Sequence, residues 1–316
     1  MSALGRVALA TLTLLTSAAS AQPAYMPYTW ASVATRGMGT VTGIAIAPTK
    51  PFDIYVKTDV GGAYRYDRAH DRWLPLLDAI GLGGPPLDGT AQGVGVEAVA
   101  TDPVKPGTAY VVVQYASGQT GNPPYAQYTF TGEVLRTTDQ GRTWTPLGLA
   151  PHHIAINPNG GYRSDTGERI AVDPKHTASL FFASRENGLW RKEGTADWAQ
   201  VGGLPDPTTL PGYHADGQPN PDQAGFTFVA FDNSKPSGLA NSAIIYVGVT
   251  GTGVWASRDG GVTWANSGGP TDAQRGTVAS DGTLYVSGLT GLHKADRRGL
   301  GGHHAATEPR ILLGHG

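Results

Sequence analysis

The sequence predicts an all-β fold and, within that class, a β-propeller of four-stranded blades. Short apolar segments typical of strands recur along the chain, and glycine-rich turns separate them. Glycine accounts for 45 of 316 residues and only 15% of residues are charged, which fits a protein with many tight turns. No segment of about ten or more residues between the strands has a helical pattern, which argues against a parallel sheet with helical crossovers.

Residues 1–21 have the pattern of a secretory signal peptide. Arg6 precedes a short apolar stretch, and Ala19-Ser20-Ala21 matches a cleavage site. The apolar stretch is too short to cross a membrane as a helix. We therefore expect a secreted or periplasmic protein whose mature chain begins near Gln22 and has no membrane association after cleavage. A buried N-terminal helix is the alternative.

The net charge indicates which partners to expect, and the cysteine count indicates how the fold is stabilised. The net charge is −2, and the chain contains no cysteine. Nucleic acids and anionic membranes are bound by basic surfaces, so neither is an expected partner. Because there is no cysteine, export adds no disulfide and stability must come from packing.

The strand segments are repeated copies of one unit. Each copy has an inner apolar strand and a second strand with an aromatic residue, followed in the first four copies by a third strand near a glycine. The aromatic residues are Tyr55, Tyr110, Phe181, Tyr246 and Tyr285. The first three intervals between them, 55, 71 and 65 residues, suit a four-stranded blade with variable loops. Radially repeated blades of this kind form a propeller.

The copies predict a partial propeller. About four and a half blades are recognisable over residues 22–287, whereas a typical ring has about seven. The strand pattern ends after Val286, so residues 288–316 are predicted to be an unmatched and disordered tail. His303 and His304 in this tail could bind a metal, but an exposed histidine pair is the simpler interpretation. We therefore predict no metal site.

Two segments, 137–144 and 257–264, fit the pattern S/T-x-D-x-G-x-T-W, which is the Asp-box or BNR repeat. In such a box the aspartate accepts amide hydrogen bonds inside a hairpin turn, and the glycine supplies a positive φ. The tryptophan anchors the hairpin in the blade. We therefore predict structural rather than catalytic roles for Asp139, Gly141, Trp144, Asp259, Gly261 and Trp264.

A third aspartate, Asp59, stands in a different setting. The segment 57–65 predicts a strand, a tight turn that contains Gly61 and Gly62, and a second strand. Asp59 follows the first strand, beside glycines that have no side chains to cover it. Its carboxylate could therefore face a ligand. The alternative is that Asp59 only caps the turn by accepting hydrogen bonds from its amides.

Several of these motifs resemble glycoside hydrolase family 74. The segments 28–30, 58–65, 167–174 and 281–286 are similar to the opening of that family in the same order, and they include T-D-V-G-G-A-Y-R and G-E-R-I-A-V-D-P. The resemblance runs from about residue 25 to 287. Members are secreted xyloglucan hydrolases that cut the β-1,4-glucan backbone with inversion, in a cleft between two seven-bladed propellers.

The resemblance implies a role for Asp59, because the aspartate of this motif is the general base in the family. It also implies a xyloglucan-like plant cell-wall polysaccharide as the substrate, and no cofactor. The general acid of the family lies in the second propeller, beyond the end of this chain. The expectation is therefore a truncated xyloglucanase copy whose activity the sequence leaves open.

The remaining candidates have weaker signals. The aromatic residues Tyr64, Tyr125 and Tyr128 are candidate substrate-binding residues. A Gly/Pro loop at 81–87 replaces the Trp/Asp-rich stretch usual in the family, which puts the subsites of that loop in doubt. Four further acids near the loops lack a comparable motif, and Glu168 is expected to pair with Arg169 or a neighbouring blade; the four are Asp88, Glu97, Asp165 and Glu168.

Two other functions share this type of fold. A non-catalytic Asp-box propeller would bind a glycan or a protein. A sialidase would need an arginine cluster for the carboxylate of its substrate, and the chain has no arginine motif of the F/Y-R-I-P type. A xyloglucan hydrolase and a binding propeller are therefore the two functions left to separate.

Overall fold

The computed structural model describes residues 39–77, 95–120, 127–156, 158, 166–211 and 225–295. It describes no side chains at 115–120 and 127–131. The described residues form nineteen strands in five antiparallel sheets, and in every sheet the strands follow one another in chain order. The prediction of an all-β propeller is confirmed.

Each sheet is one blade. The first contains β1 (Val41–Ile46), β2 (Ile54–Thr58), β3 (Ala63–Asp67) and β4 (Arg72–Pro75). The second contains β5 (Val96–Thr101), β6 (Ala109–Thr120), β7 (Gln127–Thr137) and β8 (Thr145–Pro146). The third contains β9 (Ile170–Val172), β10 (Ser179–Ser184), β11 (Gly188–Glu193) and β12 (Ala199–Gln200).

The fourth blade contains β13 (Phe226–Asp232), β14 (Ile244–Val249), β15 (Gly253–Ser257) and β16 (Ala265–Asn266). The fifth has three described strands, β17 (Ala273–Val278), β18 (Leu284–Gly288) and β19 (Gly291–Ala295). Two short 3₁₀ turns, at Ala150–His152 and Pro207–Thr209, lie in the connections after the second and third blades.

The aromatic residue of each second strand has a fixed place in its blade. In the first four blades it lies opposite an alanine of the inner strand, as Tyr55 lies opposite Ala45 and Tyr110 opposite Ala100. Small and large side chains therefore alternate across the pair, which favours close packing of neighbouring sheets. The aromatic side chains of these four blades are 0–4% exposed.

Four apolar clusters hold neighbouring blades together. The first and second blades share the cluster that includes Tyr55 and Val99, and the second and third share the one that includes Tyr110 and Ile170. The third and fourth blades meet around Phe181 and Phe226, and the fourth and fifth blades share a similar cluster. The core of the molecule therefore lies between the blades.

The outer face of β1 has no such neighbour among the described residues. Val41, Ile44 and Ile46 are 47%, 56% and 57% exposed. Ile44 in β1 corresponds to Val99 in β5. Both strands contain an irregularity in their pairing, and each of these residues forms the second regular pair after it. Val99 is fully buried against the first blade.

Four inner strands carry a β-bulge at the same place. The register skips Thr42 in β1, Glu97 in β5, Thr227 in β13 and Gln274 in β17. A bulged residue has no partner across the ladder, and it locally redirects the strand. Each of these four positions holds a polar side chain.

The structure corrects the predicted end of the propeller at residue 287. β19 pairs with β18 from Gly291 to Ala295, so the fifth blade continues at least to Ala295. The predicted signal peptide at 1–21 and the rest of the predicted tail, 296–316, lie outside the described residues. Within the described ranges, no helix is long and apolar enough to cross a membrane.

Candidate active site

The turn that carries Asp59 is stabilised by Thr58. The Thr58 amide and its hydroxyl both donate to the carbonyl of Gly62, at 2.9 Å in each case. The same hydroxyl accepts from the Gly61 amide at 2.8 Å. Gly62 has φ +83°, a conformation that favours glycine. The turn between β2 and β3 is therefore closed without the Asp59 carboxylate.

The Asp59 carboxylate instead bonds to the segment that enters β1. Its Oδ1 accepts from the Thr40 amide at 2.7 Å, and the Asp59 amide donates back to the Thr40 carbonyl at 3.3 Å. No hydrogen bond to Oδ2 is found among the described residues, and the side chain is partly exposed. Within the described ranges, one oxygen of the carboxylate is thus held by backbone and the other is available.

Two glycines bring backbone close to Asp59. A Cβ at Gly39, which has φ +100°, would lie 2.5 Å from Asp59 Oδ1. A Cβ at Gly95 would lie 2.3 Å from the Asp59 carbonyl oxygen and 2.4 Å from Cγ of Pro158. Real Cβ atoms do not come this close to other atoms, so both positions need glycine to leave space around Asp59.

A buried lysine lies two residues before Asp59, in β2. Lys57 is 2% exposed, and its ammonium donates to Thr42 Oγ1 at 3.2 Å. Burial lowers the pKa of Lys57, and the nearby carboxylates of Glu168 and Glu97 oppose that shift. Glu168 lies on the same side of Gly43 as Lys57, because a Cβ at Gly43 would meet both Glu168 Oε1, at 2.2 Å, and Lys57 Cε, at 2.6 Å.

Glu168 bonds to a neighbouring blade. Its Oε2 accepts from the Val99 amide of β5 at 2.9 Å. Burial raises the pKa of Glu168, although the Lys57 charge and the Val99 amide favour its ionised form. The expected contact with a neighbouring blade is therefore present, whereas the salt bridges described for Arg169 use Glu97 instead.

Glu97 forms a buried ion-pair cluster. Its Oε1 lies 3.0 Å from Arg169 Nε and 2.5 Å from Arg185 Nε, and all three side chains are at most 4% exposed. Burial opposes ionisation of Glu97, but the guanidinium groups of Arg185 and Arg169 hold its pKa below the ordinary value. Arg169 also donates to the carbonyl of Phe226 in the fourth blade. The cluster joins three blades and leaves Glu97 little freedom to act as a proton donor.

The two Asp-box carboxylates are used inside their own turns. Asp139 Oδ1 accepts from the Thr137 hydroxyl at 2.8 Å and from the Thr143 amide at 2.9 Å. Its Oδ2 accepts from the Thr143 hydroxyl at 2.7 Å. The bonds from the Thr143 amide and hydroxyl lower the pKa of Asp139 to about 2. Gly141 has φ +87°, and Trp144 packs against the cluster between the first and second blades.

The second box repeats this arrangement. Asp259 Oδ1 accepts from the Ser257 hydroxyl at 2.8 Å and from the Thr263 amide at 2.9 Å, and Oδ2 accepts from the Thr263 hydroxyl at 2.6 Å. The Thr263 hydroxyl and amide bonds lower the pKa of Asp259 to about 2. Gly261 has φ +90°, and Trp264 packs on the cluster between the third and fourth blades.

Of the other predicted site residues, only Tyr64 has a side chain that the structure describes. Tyr64 is only 5% exposed in β3, and its role in substrate binding stays a prediction. Ala63 packs into the cluster between the first and second blades, so alternation along β3 directs Tyr64 to the opposite face. Tyr125, Asp88 and Asp165 lie outside the described residues, and Tyr128 lies in β7 at a position whose side chain is not described.

A metal centre or a cavity elsewhere in the described ranges would be another possible site. These ranges contain no group of three or more His, Asp or Glu side chains that could hold a metal ion. A cavity of about 360 Å³ lies at the edge of the third blade, between Gly188, Gln200 and Asp206, and Phe226 of the fourth blade also lines it. Neither Asp59 nor its neighbours line this cavity.

Comparisons with known proteins agree on one family. The chain is 36% identical over 303 residues to a xyloglucanase of a Paenibacillus species, covering 93% of this chain and 27% of that protein. It is 35% identical over 271 residues to a xyloglucanase of Acetivibrio thermocellus, covering 83% of this chain and 30% of that protein. The chain thus spans about a third of the length of the curated relatives it matches.

A solved structure gives the same result. The crystal structure of the family 74 xyloglucanase of Xanthomonas campestris aligns with a TM-score of 0.63 and 33% identity, covering 83% of this chain and 35% of that one. No protein-family model matches the chain. By sequence and by fold, the chain matches a propeller portion of glycoside hydrolase family 74.

Proposed function

We propose that this chain supplies the general base, Asp59, for inverting hydrolysis of the β-1,4-glucan backbone of a xyloglucan-like polysaccharide. The substrate class follows from the relatives, which carry the name xyloglucanase. The proposal includes secretion of the protein after cleavage near Gln22, and it requires no cofactor.

The observation that carries the proposal is the unequal use of the two Asp59 oxygens. Oδ1 is fixed by the Thr40 amide, so the direction of the carboxylate is set before a substrate binds. Oδ2 can then accept the proton of a water molecule that attacks the anomeric carbon. A general base that is positioned in this way contributes typically about 10²–10⁴ in rate.

Inversion also needs a second carboxyl group, about 6.5–9.5 Å from the first, to protonate the leaving oxygen. Glu97 is paired with two arginines. Glu168 has the raised pKa of a candidate acid, but its carboxylate is directed at the Val99 amide and against Gly43. We therefore propose that the acid comes from outside the described residues, as in the family.

A chimera tests the base without requiring this chain to supply the acid. In the Paenibacillus xyloglucanase, the aligned portion would be replaced by this chain. We expect the chimera to release reducing sugar from xyloglucan, and Asp59→Asn to lower turnover by at least about 10² with xyloglucan binding kept. Asp139→Asn is the matched control and should retain turnover.

The outcomes separate the two candidate functions. Near-normal hydrolysis by the Asp59→Asn chimera would rule out the general-base role. A folded chimera that binds xyloglucan oligosaccharides but never hydrolyses the polysaccharide would favour a non-catalytic glycan-binding propeller. Loss of turnover in Asp59→Asn alone supports the proposal.

A further inference from the structure

The bulge in β1 lies close to the residue that holds Asp59. In the β1–β2 ladder, Val41 pairs with Thr58 and Gly43 with Lys57, so Thr42 has no partner. Thr42 is 7% exposed, and only Val41 separates it from Thr40. Any displacement of Thr42 is therefore transmitted over two residues to the amide that bonds to Asp59 Oδ1.

Two cations hold this bulge in place. The Lys57 ammonium donates to Thr42 Oγ1 at 3.2 Å, and Arg275 Nη2 donates to the Thr42 carbonyl at 2.8 Å. The carbonyl of a bulged residue is outside the regular ladder, so it needs another donor, which is here the Arg275 guanidinium. Arg275 belongs to β17 in the fifth blade, 233 residues along the chain from the carbonyl it bonds.

Arg275 is itself held at a fixed place. It follows the β17 bulge at Gln274, whose carbonyl accepts from the Gly167 amide at 3.0 Å. The next residue after Gly167, Glu168, attracts the Arg275 charge. The fifth blade is thus attached to the third blade by Gln274 and to the first blade by Arg275.

We propose that Arg275 is a positioning residue for Asp59. Its guanidinium fixes the Thr42 carbonyl, the fixed bulge sets the start of β1, and the Thr40 amide then holds Asp59 Oδ1 in the direction that hydrolysis needs. This inference rests on the proposed function of Asp59. It makes the geometry of a first-blade turn depend on a side chain of the fifth blade.

Hydrogen–deuterium exchange on the full chain tests whether Arg275 holds the start of β1, and it needs no catalytic readout. In Arg275→Met we expect amide exchange in peptides covering residues 39–46 to rise roughly tenfold, because a charge-assisted hydrogen bond to the bulge is lost. Exchange in the other four blades should not change. Arg258→Met, which alters an exposed arginine of an Asp-box, should leave 39–46 unchanged. Arg275→Lys keeps one donor and should partly restore protection.

Kinetic measurements on the chimera test whether the Arg275–Thr42 contact affects Asp59. Arg275→Met should lower kcat about tenfold with KM kept, since a misplaced base affects the chemical step rather than substrate binding. Unchanged exchange at 39–46 would overturn the proposal, and so would faster exchange spread over all blades, which would show a general structural role. If Asp59→Asn itself retained turnover, the proposed function would fail. The exchange result would still show whether Arg275 holds the start of β1.

Discussion

Asp59 and the Asp-box residue Asp259 both begin a glycine-containing turn after a strand, yet their carboxylates are used differently. In the Asp-box, the Ser257 hydroxyl accepts from the Gly261 amide, and Asp259 accepts from both the amide and the hydroxyl of Thr263. In the other turn, Thr58 alone bonds both Gly61 and Gly62. Asp59 is therefore left to bond outside its turn.

The difference can be traced to spacing. The hydroxyl residue precedes its bonded glycine by four positions in the Asp-box and by three in the Thr58 turn. It stands two residues before the aspartate in the first case and directly before it in the second. A shift of one position therefore decides whether the carboxylate bonds within its own hairpin or to a neighbouring segment.

Substitution of a glycine near each aspartate should give the largest difference in turnover between the two turns. In Gly39→Ala the new Cβ would displace Asp59 Oδ1, and a displacement of about 1 Å can cost roughly 10² in rate. Gly261 also has a positive φ, but its Cβ would make only an ordinary 3.5 Å contact with Phe181. Gly261→Ala should therefore lower Tm and spare turnover in the chimera. Equal turnover in the two variants would show that Asp59 is not sensitive to its position.

Removal of the hydroxyl that closes each turn should have a smaller effect. Thr58→Val and Thr137→Val each leave a glycine amide without its acceptor, at a cost of about 1 kcal/mol of unfolding free energy. Denaturant titration would measure that loss. Only Thr58→Val should also lower turnover, by about tenfold, because only that turn carries the proposed base. A similar loss of turnover in Thr137→Val would remove the distinction between the turns.

The smallest expected effect is the pH dependence of the Asp-boxes. The folded-state pKa of Asp139 and Asp259, about 2, is below the ordinary value of 3.8. Each ionised carboxylate therefore stabilises the fold above about pH 4, and that contribution is lost as pH falls through about 2. Asp259→Asn removes the ionisable group, so its Tm should be lower than wild type at pH 6.

The gap in Tm between wild type and Asp259→Asn should close as pH falls from 4 towards 2. Thermal melts at stepped pH would measure it, with Lys105→Gln, a change at an exposed side chain, as the control. A gap that stays constant down to pH 2 would mean that the Asp259 charge contributes nothing to stability.

Much of the architecture could be predicted from the sequence because it depends on local patterns. The alternation of apolar residues and the turn glycines predicted the blades, and the repeated aromatic residue marked each second strand. β19 was missed for a physical reason. All five of its residues are exposed, so Gly291–Ala295 is a strand only through pairing with β18 and shows no burial pattern.

In the candidate site, too, the residue in a local motif could be predicted and the residues that contact it from distant segments could not. Asp59 was identified as a candidate because its motif is continuous in the sequence. Its donor Thr40, the close approach of Gly95 and the arginine at 275 all depend on contacts between segments far apart in the chain. No spacing rule predicts such contacts, since they arise only when the blades pack.

The bulges of the inner strands have a consequence for how this fold can change. A bulged residue has no cross-strand partner, so its side chain can be exchanged while the ladder on either side stays in register. The four skipped positions already hold two threonines, a glutamate and a glutamine. Each of these four blades therefore has one position at which a mutation can change a polar side chain of the inner strand without shifting the register of the ladder.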